Sequence, residues 1–141
     1  MRTYASSRSC LVIAITVCTL AACGNNDTSA PPTFSAVYDD VLFVRCADAS
    51  CHGGGEGGAG KLDLSTRDNA YAALVDQMAA GPDCKDSGQT RVIPAEPEHS
   101  LLYLKLRASP PCGSRMPLGG ALGDEDLRKI KAWIAAGALD E

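Results

Sequence analysis

The sequence Cys-Ala-Asp-Ala-Ser-Cys-His at residues 46–52 places two thiols and an imidazole within seven residues. This order suits covalent haem attachment, in which two cysteine thiols add to the porphyrin vinyl groups and the following histidine binds the iron. The usual spacer between the two cysteines has two residues, whereas this one has four. We therefore expect Cys46 and Cys51 to hold haem c covalently, and His52 to be its proximal ligand.

Two other interpretations of these residues stay open. Export to an oxidising compartment favours disulfides, so Cys46 and Cys51 could instead be joined to each other in a haem-free domain. The two thiols and His52 also offer three zinc ligands, but the sequence shows neither an evident fourth ligand nor a second Cys/His pair at zinc-finger spacing.

The N-terminal segment has the pattern of a lipoprotein signal peptide at residues 1–22. Two arginines precede an apolar run at residues 11–22, which is too short for a comfortable transmembrane helix. The run ends in Leu-Ala-Ala-Cys, which resembles a bacterial lipobox. This resemblance implies cleavage before Cys23 and lipidation of that residue. The alternative is an ordinary signal peptide followed by an incidental cysteine.

The remaining chain divides into a tether and one domain. Residues 23–32 are rich in Asn, Ser, Thr and Pro, which indicates a flexible tether, and residues 33–141 have the length of a single domain. The whole chain carries 13 basic and 17 acidic residues, and loss of the signal peptide removes Arg2 and Arg8. Such an acidic protein has no electrostatic attraction to nucleic acid, and we expect it to be a monomer.

Apolar spacings of three and four predict four helices, at residues 34–45, 65–78, 97–106 and 124–137. The first runs directly into Cys46. The glycine-rich stretch at residues 53–60 is predicted to be a flexible loop that lets the backbone approach something closely, or a loop with no such contact. Because little of the sequence alternates as a strand does, the expected fold is all-α with long loops.

Three residues are candidates for the sixth iron ligand. Met116 lies in an irregular loop before the last helix, and Pro117 stiffens that loop. Met78 lies on an apolar helical stripe, where methionine usually fills a core, and His99 lies in a polar, exposed stretch. We therefore expect Met116 to be the distal ligand. His/Met ligation raises the reduction potential and suits electron transfer.

The other two cysteines of the domain, Cys84 and Cys112, lie among Pro, Gly and polar residues. We predict a structural disulfide between them, which by the chain-entropy argument contributes roughly 3–4 kcal/mol. It would also hold the Met116 loop. The alternative is that one of them is a reactive thiol, although no cationic partner for lowering its pKa is evident.

Met-Pro-Leu-Gly-Gly at residues 116–120, followed by the apolar positions of the last helix, resembles the C-terminal half of a class I c-type cytochrome. Those positions are Leu122, Leu127, Ile130, Trp133, Ile134, Gly137 and Ala138. The resemblance covers about residues 34–139 and is closest to exported cytochrome-like bacterial lipoproteins with a longer spacer before the Cys-His pair. It implies a cytochrome c-like fold, with Met116 as distal ligand and an amphipathic helix packed across the first one.

These features together predict a membrane-anchored monohaem c-type cytochrome that carries electrons in the cell envelope. It would face the periplasm or the exterior and exchange electrons with a redox protein partner. We expect no enzymatic activity, because a methionine-capped haem leaves no open position for a substrate. The alternative is a haem-free binding or structural module of the same fold, stapled by Cys46–Cys51 and Cys84–Cys112 disulfides.

Overall fold

The computed structural model describes residues 30–54 and 58–141. The predicted signal peptide at residues 1–22, the predicted lipidation site Cys23 and most of the predicted tether lie outside these residues. None of the helices in the two described ranges is long and apolar enough to cross a membrane.

The first helix, α1, consists of three consecutive segments. Phe34–Val37 is α-helical, Tyr38–Leu42 is π-helical and Phe43–Arg45 is α-helical again. The prediction of a helix over residues 34–45 is therefore confirmed. The hydroxyl of Thr33 caps it by accepting a hydrogen bond from the backbone of Ala36 at 3.1 Å.

At the C-terminal end of α1, burial of the side chains differs from what the apolar spacing predicts. Val41 and Leu42 are buried, but Phe43 and Val44 are 57% and 64% exposed. Within the π-helical segment the Phe43 N–H bonds to the Tyr38 carbonyl, one residue further back than in an α-helix. The wider turn rotates the following residues relative to the α-helical spacing used for the prediction, and Val44 leaves the core face.

Helix α2 spans Arg67–Leu74, with the Thr66 hydroxyl as its N-terminal cap. It ends four residues earlier than predicted. Its end has a long-range cause, since the residues after Leu74 pair with an extended segment at residues 89–92. The N–H of Asp76 bonds to the Val92 carbonyl at 2.9 Å, and that of Ala79 bonds to the Gln89 carbonyl at 2.9 Å.

The predicted third helix is divided at Ser100. Pro97–His99 forms a 3₁₀ turn, and helix α3 spans Leu101–Lys105. The buried hydroxyl of Ser100 accepts a hydrogen bond from the Ile93 N–H at 2.8 Å and donates one to the Glu96 carbonyl at 2.9 Å. These bonds hold the residue in an extended conformation, which a continuous helix does not allow.

Helix α4 spans Asp124–Ala135 and begins with three acidic residues, as its positive N-terminus favours. Gly137 follows it with a φ of 104°, a left-handed conformation that suits glycine at a helix end. The Phe34 ring of α1 lies 5.0 Å from the Trp133 ring of α4, between ring centroids. The two helices therefore pack directly on each other.

One main core joins these elements. Its buried members are Phe34, Val37, Tyr38, Val41, Leu42, Leu64, Ala70, Leu74, Val92, Leu106, Leu122, Ile130, Trp133, Ile134 and Ala138. In the described ranges the chain is mostly helical, with long loops and two isolated β-bridges. A mostly helical fold is thus confirmed.

Candidate functional site

Residues 46–52 form a closed turn at the end of α1. The Cys46 N–H still bonds to the Leu42 carbonyl at 2.9 Å, so the first cysteine sits on the last helical turn. The Cys51 N–H bonds to the Asp48 carbonyl at 2.8 Å, and the His52 N–H bonds to the Cys46 carbonyl at 3.2 Å. The backbones of the first cysteine and the histidine are therefore adjacent despite the four-residue spacer.

The spacer is folded by its own polar residues. The Asp48 carboxylate accepts hydrogen bonds from the Ser50 N–H, at 2.8 Å, and from the Ser50 hydroxyl. These two bonds lower the pKa of Asp48. Side chains of this kind commonly bond the backbone two residues further on and fix a tight turn. The two additional spacer residues are in this way taken up within the turn.

Gly53 continues the turn by passing close to the spacer. Its N–H bonds to the Asp48 carbonyl at 2.9 Å. A Cβ atom at this position would overlap the carbonyl oxygen of Ala47. Of the two predictions for the glycine-rich stretch, close backbone approach is therefore confirmed at Gly53.

Neither cysteine of the turn is paired in the structure. Cys46 is half-buried against the main core and Cys51 is exposed, and both are free thiols. The disulfide of the haem-free alternative is thus not formed here. Burial raises the pKa of Cys46 to about 11, and the nearby Cys51 adds to the shift because two neighbouring thiolates repel each other.

The different environments of the two thiols predict different reactivities in the haem-free protein at pH 8. Only the thiolate reacts with iodoacetamide, so raising the Cys46 pKa from 9.0 to about 11 should slow its alkylation about 100-fold relative to an ordinary thiol. The rate should rise with pH until about 11. Peptide mass mapping after timed quenching measures both sites. Denatured protein is the control, and an equal slowing of Cys46 there would contradict this explanation.

His52 is a half-buried imidazole with an unsatisfied nitrogen. Its Nδ1 is buried and has no hydrogen-bond partner. Burial is the main cause that lowers the His52 pKa below 6.5, and the positive charge of Arg91 acts in the same direction. Backbone groups of Ala59 and Leu62 oppose the shift without forming a well-directed hydrogen bond to Nδ1. Burial thus favours the neutral form of the ring, which is the form that binds a metal.

The donor atoms of the turn and of Met116 can be compared with those that a covalently bound haem needs. A buried imidazole nitrogen without a partner is costly unless something coordinates or bonds it. The turn supplies an imidazole as well as two free thiols, and the chain supplies a thioether at Met116. The donor set therefore fits the group. In the described ranges no three His, Cys, Asp or Glu side chains are arranged to hold a metal ion.

Met116 lies on the same core as Cys46. Its side chain is half-buried against that core, and its N–H bonds to the Lys105 carbonyl at 2.8 Å. The peptide bond between Met116 and Pro117 is cis. The loop is thus attached to α3 by the backbone of the candidate ligand itself.

The other two ligand candidates lie elsewhere. Met78 follows the end of α2 and is 54% exposed, so the expectation that it fills the core is wrong. Thr90 donates its hydroxyl hydrogen to the Met78 sulfur at 3.5 Å. His99 is exposed as expected, with Nδ1 3.2 Å from the Glu96 carboxylate. It borders a surface cavity of about 270 Å³ that the residues of the turn do not line.

The predicted disulfide between Cys84 and Cys112 is present, with the two Cα atoms 5.4 Å apart. It fixes the chain four residues before Met116. The Lys105 ammonium donates to the Ser114 carbonyl at 3.0 Å, and the Arg115 guanidinium donates to the Leu106 carbonyl at 3.3 Å. The disulfide and these two bonds together hold the Met116 loop against α3.

Sequence reasoning missed one residue near the site. Arg91 is half-buried, and its charge affects the His52 ring. It donates to the Ala73 and Lys61 carbonyls, both at 2.8 Å. A lone arginine in a loop carries no local signal of this arrangement, because its partners lie 18 and 30 residues away along the chain.

No protein-family model, curated protein or solved structure matches this chain. The chemistry and placement of the chain's own residues therefore carry the indications of function. The most informative of these are the turn at residues 46–52 and the Met116 loop.

Proposed function

We propose that this protein is a membrane-anchored monohaem c-type cytochrome that carries single electrons in the cell envelope. The observation that carries the proposal is the closed turn at residues 46–52. Its bond from the His52 N–H to the Cys46 carbonyl gives the long spacer a compact form. The turn contains two free thiols and a half-buried imidazole, which are the groups that covalent haem attachment requires.

Attachment is an addition reaction that needs no oxidant. Each thiol would add across one vinyl group, so that a sulfur–carbon bond forms and the thiol hydrogen goes to the other vinyl carbon. Cys46 and Cys51 would hold the group covalently, and His52 and Met116 would bind its iron. When bound, haem iron supplies a one-electron couple, and His/Met ligation raises its potential. Because these two residues would leave no position on the iron open to a substrate, we expect no enzymatic activity.

The fold supports a cytochrome c-like architecture as part of the proposal. Helix α1 leads directly into the turn, and α4 packs against α1 through Phe34 and Trp133. Lys129 of α4 also pairs with Asp40 of α1 at 2.6 Å. An N-terminal helix that ends at the attachment turn and a C-terminal helix that crosses it are what the resemblance implies.

Intact mass and the visible spectrum test the proposal directly. The full-length chain is produced together with factors that mature c-type cytochromes. We expect the mass of one haem added to the chain, and a haem absorption band that persists after denaturation. A purified protein with the bare-chain mass would overturn the proposal and leave the haem-free module as the alternative.

The proposed anchor gives a separate prediction for Cys23→Ser. One acyl chain holds a protein only marginally, whereas two or more give stable attachment, and a lipobox implies three on Cys23. The acidic domain adds no attraction to anionic lipid. Membrane fractionation should therefore find the variant almost entirely in the soluble fraction with an unchanged haem spectrum. Continued membrane binding at high salt would indicate an uncleaved anchor or a protein partner.

A further inference from the structure

Arg91 joins two separate parts of the chain through carbonyl oxygens. One η-nitrogen donates to the Ala73 carbonyl in the last turn of α2, and the other donates to the Lys61 carbonyl in the 3₁₀ turn Ala59–Lys61. Both donor–acceptor distances are 2.8 Å. A planar guanidinium can reach two acceptors at once, which the single ammonium of a lysine cannot reproduce in the same geometry.

The charge of Arg91 has no carboxylate partner in the described ranges. The ion pairs found there involve other basic residues, namely Arg67, Lys85, His99, Arg107, Lys129 and Lys131. Burial lowers the pKa of Arg91, as expected for a cation withdrawn from water. A half-buried guanidinium is therefore held by neutral carbonyls alone, an arrangement that fixes the backbone carrying them.

The segment that Arg91 holds is conformationally strained. Gly60 has a φ of 67° and Lys61 a φ of 52°, both in the left-handed region. A lysine adopts this region at a cost and persists there only where surrounding bonds hold it. The hydrogen bond from Arg91 to the Lys61 carbonyl is such a bond.

The same segment is hydrogen-bonded to the candidate haem-binding turn. The Ala59 N–H bonds to the Cys51 carbonyl at 2.7 Å, just before Lys61, and the Leu64 N–H bonds to the His52 carbonyl at 2.7 Å, just after it. The backbone of Ala59 and Leu62 also influences the His52 ring. Lys61 therefore lies between the two backbone contacts that this segment makes with Cys51 and His52.

From these contacts we infer that Arg91 is a positioning residue for His52, acting through residues 59–64. It anchors this segment to α2 and so sets how the segment lies against the histidine. The inference rests on the proposed function in so far as His52 is a haem ligand. The two-carbonyl bridge itself is a property of the polypeptide and can be measured with or without haem.

The test compares Arg91→Lys with Arg107→Lys in the full-length protein produced with maturation factors. Arg91→Lys keeps the charge but cannot span both carbonyls. Arg107 is an exposed arginine paired with Glu98 at 3.1 Å and serves as the matched control. Amide hydrogen exchange is followed at Leu62 and Leu64, with Ile134 in α4 reporting global opening. We expect exchange at the first two amides to be at least about tenfold faster in Arg91→Lys, since local bonds that hold a segment set its opening rate.

A spectroscopic measurement tests whether Arg91 positions the His52 ring or only stabilises residues 59–64. In the oxidised haem-bound protein, the paramagnetically shifted NMR signals of the His52 ring should move in Arg91→Lys and stay in place in Arg107→Lys. Unchanged exchange at Leu62 and Leu64, an equal increase at Ile134, or faster local exchange with unmoved His52 signals would each overturn the inference. If no haem is attached, the proposed function fails, while the exchange pattern alone still decides whether Arg91 holds residues 59–64.

Discussion

Replacing both Cys46 and Cys51 by alanine is expected to abolish covalent haem attachment completely. Each thioether needs one of these sulfurs, and no other free thiol is found in the described ranges. Each single variant keeps one sulfur and should hold haem through one bond at most. Cys46 is half-buried and Cys51 exposed, so alanine at both positions removes little packing. Intact mass and the absorption of the denatured protein report the result.

A matched double variant serves as control for this experiment. Cys84→Ala with Cys112→Ala also removes two sulfurs, but these form the disulfide and lie outside the turn. It should retain the added haem mass while losing roughly 3–4 kcal/mol of stability by the chain-entropy argument. If the Cys46→Ala, Cys51→Ala chain still carried haem after denaturation, the turn would not be the attachment site.

The helices were predictable where their determinants are local. The spacing of apolar residues between Phe34 and Arg45 defined α1, and the acidic first turn and Gly137 bracketed α4. The predicted extension of α2 to residue 78 was wrong. Its true end depends on pairing with residues 89–92, which no property of the helix sequence encodes.

The residues of the candidate site also differ in whether the sequence alone reveals their role. Its sulfur and nitrogen donors carry strong sequence signals, and so does the methionine–proline pair that follows in the loop. The compact form of the four-residue spacer depends on Asp48 and Ser50, residue types that often form tight turns. Arg91 could not be found this way, because its role arises from carbonyls that only the folded chain brings together.

Met116→Leu should remove the weak near-infrared sulfur-to-iron band of the oxidised protein and lower its reduction potential. Leucine keeps most of the apolar volume at this half-buried position but has no sulfur for the iron. Axial ligands tune haem potentials over about 0.8 V, so the fall should be on the order of a few hundred millivolts. Near-infrared absorption and a spectroelectrochemical titration measure the two effects.

Met78→Leu is the control for the loss of a methionine sulfur. Met78 is exposed and its sulfur accepts a hydrogen bond from Thr90, whereas Met116 lies on the core that also contacts Cys46. The control should therefore keep both the band and the potential. A normal band in Met116→Leu would assign the sixth position to another residue. Because the disulfide and Lys105 hold the Met116 loop independently of its side chain, that outcome could not be attributed to a loop displaced by the substitution.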